Sequence, residues 1–312
     1  MIPIIYTCTL NTAIDLFMDV DSLHPSVVNR TNTEDYQPNG KTINVSIMLK
    51  RLGVNNTALG FIGGFTGKYI ESELQKLGII TDFTEIEGIT RVNAFVRAGD
   101  QEFKLVNKGP EISLDKKTEL INKINKIPKG SLIVVSGSFP RGITDDIYEE
   151  IANVSKQNEL RLVLDISSKK LLNCLRYHPY LVKPNREELA SFFGKNEITD
   201  DELLELGKEI IKMGAQRVLV SLGEEGSLYI SESEVVRVTT PQGKVINTAC
   251  AGDALLASFL GKIVLGETIE EALRFASATG AATAFSMGLA DLEDVPGLMK
   301  SINVYHITQP IN

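Results

Sequence analysis

The sequence predicts an α/β fold: a doubly wound, mainly parallel sheet flanked by helices, with a second, small β-sheet over the mouth of the core. Three observations predict it. Short β-branched runs alternate with helical patterns along most of the chain, which implies βαβ units with right-handed crossovers. Some strand runs are apolar throughout, as in Leu132-Ile-Val-Val135, and such strands suit a parallel sheet covered on both faces. Two regions break the alternation with strand-like runs that interleave polar residues.

In chain order, the expected core strands are Ile2–Cys8, Ala58–Ile62, Leu132–Ser136, Arg161–Asp165, Tyr180–Lys183 and Arg217–Ser221. The expected helices are Thr42–Leu52, Lys68–Leu77, Leu114–Lys126, Asp145–Gln157, Arg186–Phe193, Asp200–Met213, Asp253–Leu265, Ile269–Met287 and Val295–Asn303. The two exceptional regions are Leu16–Asp21 with Val27–Tyr36, and Arg91–Ala98 with Gln101–Val106, the latter joined at a Gly99-Asp100 turn. They read either as the small separate sheet or as an antiparallel edge of the main one. No internal repeat, low-complexity segment or long linker divides the chain, so residues 1–312 read as one domain with the exceptional strands inserted at about 12–38 and 90–107.

A chain of 312 residues can bury a sizeable core. Its 32 basic and 40 acidic residues give a net charge of −8, which argues against a nucleic-acid footprint. A phosphorylated ligand stays compatible, because a site needs only a few local positive groups. Cys8, Cys174 and Cys250 are few and widely spaced, which suits a reducing compartment. The N-terminus carries no basic leader pattern, and no apolar run approaches the roughly 20 residues of a membrane span. A cytoplasmic protein without membrane contact is expected.

The stretch Asn247-Thr-Ala-Cys-Ala-Gly-Asp253 runs into an apolar pattern of helical spacing at Leu255, Leu256, Phe259, Leu260 and Ile263. A small-residue turn before a helix lets successive backbone N–H groups converge, and the helix start adds its positive dipole end. This is an expected anion site. Asp253 is either a first-turn acid of the ordinary kind or a general base beside that site.

Six further strings stand out: Thr9-Leu-Asn-Thr-Ala-Ile-Asp15, Asn39-Gly-Lys-Thr-Ile-Asn-Val-Ser46, Thr90-Arg-Val-Asn93, Val135-Ser-Gly-Ser-Phe-Pro-Arg-Gly142, Lys183-Pro-Asn-Arg-Glu-Glu-Leu189 and Ser221-Leu-Gly-Glu-Glu-Gly226. The second is not a Walker-A loop, since Asp35 stands where that motif needs glycine. Asp15 follows the first strand, and the carboxyl ends of parallel strands are where open α/β sheets bind ligands. Arg91 has the planar fork that meets phosphate oxygens in pairs. Several of these residues also have a plain reading: Lys41 as a solvated lysine, Arg91 as a strand-face charge, Asp15 as the opening of a hairpin, Glu187 as a helix-start acid.

Together, in this order, the strings resemble the ribokinase family in its phosphofructokinase-B branch. The resemblance implies a ribokinase-like fold with a β-sheet lid that often forms a dimer contact, and an ATP- and Mg²⁺-dependent sugar-phosphate kinase. It implies Asp253 as base, with Cys250, Ala251 and Gly252 completing the anion hole. It assigns the sugar phosphate to Asp15, Gly40, Lys41, Asn44, Arg91 and Ser138, with Lys104 a weaker candidate. Lys183, Asn185, Ser221, Gly223 and Gly226 would meet the nucleotide, and Glu188 the metal. The strings lie nearest to kinases that turn fructose 1-phosphate into fructose 1,6-bisphosphate; tagatose 6-phosphate and fructose 6-phosphate are the alternatives. Cys250 and Thr42 depart from the family pattern, where small residues stand. A normal, a slow or a redox-tunable kinase, or a catalytically weak sensor, therefore stays open. A thiol at a helix start is expected to have a lowered pKa.

Overall fold

The computed structural model describes residues 4–307. Its main sheet has eleven strands. From one edge they run Val304–His306, Val235–Val238, Ser227–Ser231, Arg217–Ser221, Leu181–Val182, Arg161–Asp165, Leu132–Ser136, Ile5–Thr9, Asn56–Gly63 and Ile80–Thr81, with Thr84–Ile86 also paired to Asn56–Gly63. Pairing is parallel from Arg217–Ser221 to Ile80–Thr81 and antiparallel in the three strands beyond it.

Strand alternation divides the core into two layers. Ile133 and Val135 pack with Leu120, Ile151, Phe192 and Ile210 from helices on one face. Leu132 and Val134 pack with Met48, Leu256, Phe259 and Leu273 on the other. Every residue of Leu132–Ser136 is buried, as a strand covered on both faces requires. The register places Thr9 opposite Ser136, and Ser136 opposite Asp165. Three carboxyl-terminal strand ends thus share one level, and the helix N-termini gather above them.

The two exceptional regions form a separate four-stranded sheet in the order Thr33–Asn39, Ala13–Val20, Arg91–Ala98, Gln101–Leu105. Ala13–Val20 and Arg91–Ala98 are parallel, and Phe17 stacks on Phe95 with ring centroids 5.0 Å apart. This sheet is not an edge of the main one. Its first strand starts at Ala13, ahead of the expected Leu16, and residues 27–32 lie outside any strand. The hairpin Ser227–Ser231 with Val235–Val238 was not expected from sequence, and the last helix is the short Val295–Met299.

Candidate active site

Two helices meet at the centre of the cleft. Lys41–Arg51 and Ala251–Val264 bring their first turns together beneath the lid. Before the first helix, Gly40 takes φ 143°, and a Cβ there would lie 2.5 Å from the Thr9 side chain. Only glycine suits that approach. From the second turn, the Asn44 amide donates to Asp253 Oδ2 at 2.8 Å, and lies 3.2 Å from both Cys250 Sγ and Asn39 Oδ1.

Asp253 sits in the first turn of its helix and is 7% exposed. Burial, reinforced by the Asp165 charge, pushes its carboxyl up to about 7, against the pull of Asn44, Lys41 and Lys183. A base poised near neutral pH is the kind that removes a proton efficiently there. The Ala251 N–H donates to the Thr248 carbonyl at 3.3 Å, so it is already engaged within this turn. The Lys183 ammonium faces the same turn, 3.6 Å from where a Cβ on Gly252 would stand.

Cys250 corrects one expectation. Its backbone is left-handed, at φ 64° and ψ −7°. Its thiol was expected to acidify; instead burial, followed by the charges of Asp253 and Asp15, pushes it up to about 12. The helix dipole does not prevail over desolvation. This opposes a redox-tunable thiolate.

Asp165 is a central charge that the sequence reading passed over. It ends the Arg161–Asp165 strand, is 1% exposed, and holds Lys183 Nζ at 3.1 Å and Lys41 Nζ at 3.5 Å. Ser136 Oγ donates to its other oxygen at 2.9 Å. Although burial works against ionisation, Lys183 and Lys41 hold its carboxyl below the usual carboxylate range. Burial likewise works against Lys41, yet Asp165, Asp253 and Glu188 hold its ammonium above the ordinary value. The usable signal was an acid at the carboxyl end of an apolar core strand.

The lid supplies the other wall. Asp15 stands in register with Asn93 and Gln37, accepts from Asn93 Nδ2 at 2.7 Å, and also accepts from Asn39. Beside the cleft lies a cavity of about 560 Å³ lined by Asn11, Lys41, Arg91, Asn93, Ser138 and Ser167, among others. Arg91 donates to the carbonyls of Asn11, Thr12 and Asn107 at 3.0, 3.4 and 3.1 Å. Asn11 donates to Ser138 at 3.3 Å. Lys104 is not brought to either cavity. It pairs with Glu102 at 2.9 Å on the exposed edge strand of the lid.

The remaining candidates line the larger cleft, of about 940 Å³, together with Asp15, Lys41, Asn44 and Asp253. Asn185 caps the helix Arg186–Phe192, and Glu188 returns its carboxylate to the Asn185 N–H at 3.0 Å. Asn185 bridges to Ser221, whose strand leads into Gly223 and Gly226. Gly226 takes φ 95°, and a Cβ there would lie 1.9 Å from the Val238 carbonyl. Glu188 Oε1 also accepts from Ser167 at 2.5 Å, so this acid is held at the cleft wall.

These residues fit Mg-ATP. A helix start flanked by Lys183 and Lys41 suits a polyphosphate, and Pro241, Ala281 and Phe285 form an apolar stretch of the cleft wall. Magnesium takes one or two carboxylates and completes its shell with water and phosphate. Glu188 alone would serve. Among the described residues, no helix is long and apolar enough to cross a membrane.

Comparison with known proteins agrees with this geometry. The family model described as pfkB family carbohydrate kinase matches residues 7–295. The chain is 55% identical to D-tagatose-1-phosphate kinase of Bacillus licheniformis over 304 residues, covering 97% of this chain and 100% of that one. It is 38% identical to 1-phosphofructokinase of Bacillus subtilis, covering 96% of this chain and 99% of the relative. Among solved structures, phosphofructokinase-2 from Escherichia coli in complex with substrates and products superposes with a TM-score of 0.87 at 28% identity, covering 95% and 98% of the two chains. The chain belongs to the pfkB family of carbohydrate kinases and is a phosphotransferase with the ribokinase-like fold.

Proposed function

We propose that this kinase transfers the terminal phosphoryl group of ATP to the C6 hydroxyl of a ketohexose 1-phosphate, with D-tagatose 1-phosphate as first acceptor and fructose 1-phosphate as second. Membership of a sugar-kinase family implies ATP use, generally with Mg²⁺. The 55% identical relative named for D-tagatose 1-phosphate favours that acceptor over the fructose 1-phosphate that the motifs suggest. The two sugars differ only in configuration at C4. Tagatose 6-phosphate has weaker support, from relatives 30% identical.

The observation that carries the catalytic part is the buried Asp253 carboxyl at a helix start beside Lys183. Asp253 accepts the proton of the acceptor hydroxyl as its oxygen attacks phosphorus in line. The N–H groups of Gly252 and Asp253, with Lys183 and Lys41, stabilise the charge on the transferring group; positioning and electrostatics of this kind dominate phosphoryl transfer. Magnesium, held through Glu188, would neutralise phosphate charge when bound. Asp15 and Asn44 hold sugar hydroxyls, while Arg91 and Ser138 receive the 1-phosphate. Asn185, Ser221, Gly223 and Gly226 flank the nucleotide. The lid excludes water, and its exposed face is the expected site of self-association.

Product analysis by ³¹P NMR tests the assignment. D-Tagatose 1-phosphate with Mg-ATP is expected to yield a 1,6-bisphosphate. Turnover restricted to 6-phosphates would overturn it.

A further inference from the structure

We propose that the Cys250 side chain is a wall of the acceptor site that sets which sugar configuration is phosphorylated, the backbone strain at this position being retained for that purpose. The proposal rests on the functional reading above.

Cys250 is one of four non-glycine residues with positive φ in the described chain. Ser26 and Glu159 occupy exposed turns, and His178 ends a 3₁₀ turn with its ring near the Gly214 carbonyl. Cys250 alone among the four lines the cleft. A left-handed backbone is unfavourable for a residue with a Cβ, and glycine would adopt it freely. Residues held in such conformations persist where surrounding structure fixes them, commonly at functional sites.

The side chain has a definite place. Sγ lies 3.2 Å from Asn44 Nδ2, the same amide that donates to Asp253 at 2.8 Å. Cys250 lines the same cleft as both Asp253 and Asp15. The thiol therefore sits beside the base, near the acid that receives sugar hydroxyls. Glycine would leave that volume open. The sulfur fills it with a large, weakly hydrogen-bonding atom, which favours the epimer that presents a C–H there and disfavours the one that presents a hydroxyl there. Through Asn44, the same sulfur restrains an amide that faces the acceptor.

The test compares wild type with Cys250→Gly and Cys250→Ser on four acceptors: D-tagatose 1-phosphate, fructose 1-phosphate, tagatose 6-phosphate and fructose 6-phosphate. The readout is the ratio of kcat/KM between the best and second acceptors of the wild type, with KM for ATP measured alongside. Cys250→Gly is expected to compress that ratio at least fivefold, chiefly through the acceptor KM, and to raise Tm. Cys250→Ser keeps an atom at that place, smaller than sulfur and strongly hydrogen-bonding, and is expected to retain more of the ratio than Cys250→Gly. A ratio unchanged within twofold while Tm rises would overturn the proposal and leave Cys250 as tolerated strain. Equal loss on every acceptor, or a raised KM for ATP, would also overturn it, assigning the residue to the phosphate cradle. If the wild type prefers 6-phosphates, the ketohexose 1-phosphate reading fails, while the ratio still decides the role of Cys250.

Discussion

Asn44 Nδ2 donates to Asp253 Oδ2 at 2.8 Å, joining two helices through residues 209 positions apart in sequence. This bond aligns the candidate base with the sugar side of the cleft. It also opposes the burial that raises the Asp253 pKa. Removing the donor leaves the carboxyl harder to ionise. In Asn44→Ala, the acidic limb of the kcat/KM profile, expected near pH 7 in the wild type, moves to higher pH. A limb that stays in place would separate Asn44 from the base.

Asp253→Asn removes the base and is expected to lower kcat by about 10³-fold or more, roughly 4 kcal/mol of barrier. Stability moves the other way. A carboxyl raised from its ordinary value to about 7 in the fold costs nothing where both states are protonated. As pH rises towards 7 the unfolded chain ionises first, so the native state loses stability until the folded group also ionises. Asparagine abolishes that loss. The Tm gain of Asp253→Asn is therefore larger at pH 8 than at pH 4.5, as thermal melts would register.

Asp165→Asn strips the counter-charge from Lys183, which is 5% exposed, and from Lys41. Breaking a buried pair while leaving its partner costs about 3–5 kcal/mol. Urea denaturation should show that loss, and the raised Asp253 pKa should fall, because the Asp165 charge contributes to it.

Arg91 and Lys104 both belong to the lid, but they differ sharply in what they touch. Arg91→Ala should raise the acceptor KM by about ten- to a hundredfold, in line with about 1.5–3 kcal/mol for a charge-assisted contact. Lys104 pairs with Glu102 at the surface, and exposed pairs contribute little. Steady-state kinetics of Lys104→Ala should match the wild type within about twofold.

Much of this architecture was legible in the chain. Leu132–Ser136, Arg161–Asp165, Arg217–Ser221 and Arg91–Ala98 occupy the expected residues, because their apolar or alternating patterns are strong and bounded by turn residues. The site strings converge on one cleft because parallel strands deliver their carboxyl ends to one side. The hairpin after Gly226 escaped notice, since its strands are short and follow a turn read only for its glycines. Asp165 was hidden by being the last residue of a strand, where only the neighbouring Ser136, Lys183 and Lys41 give it a role. The left-handed backbone of Cys250 was not readable, because cysteine carries no preference for it. Lys104 was misplaced because strand alternation gives a face but not how far along the lid a side chain stands.

The most direct test of the central claim is ADP release with Mg-ATP and D-tagatose 1-phosphate, for wild type and Asp253→Asn at pH 7.5. Acceptor-dependent turnover in the wild type that falls by about 10³-fold in a folded mutant is the predicted result. Turnover that survives the substitution would contradict the role given to Asp253, and a folded wild type that binds ATP yet releases no ADP would contradict the kinase assignment to this acceptor.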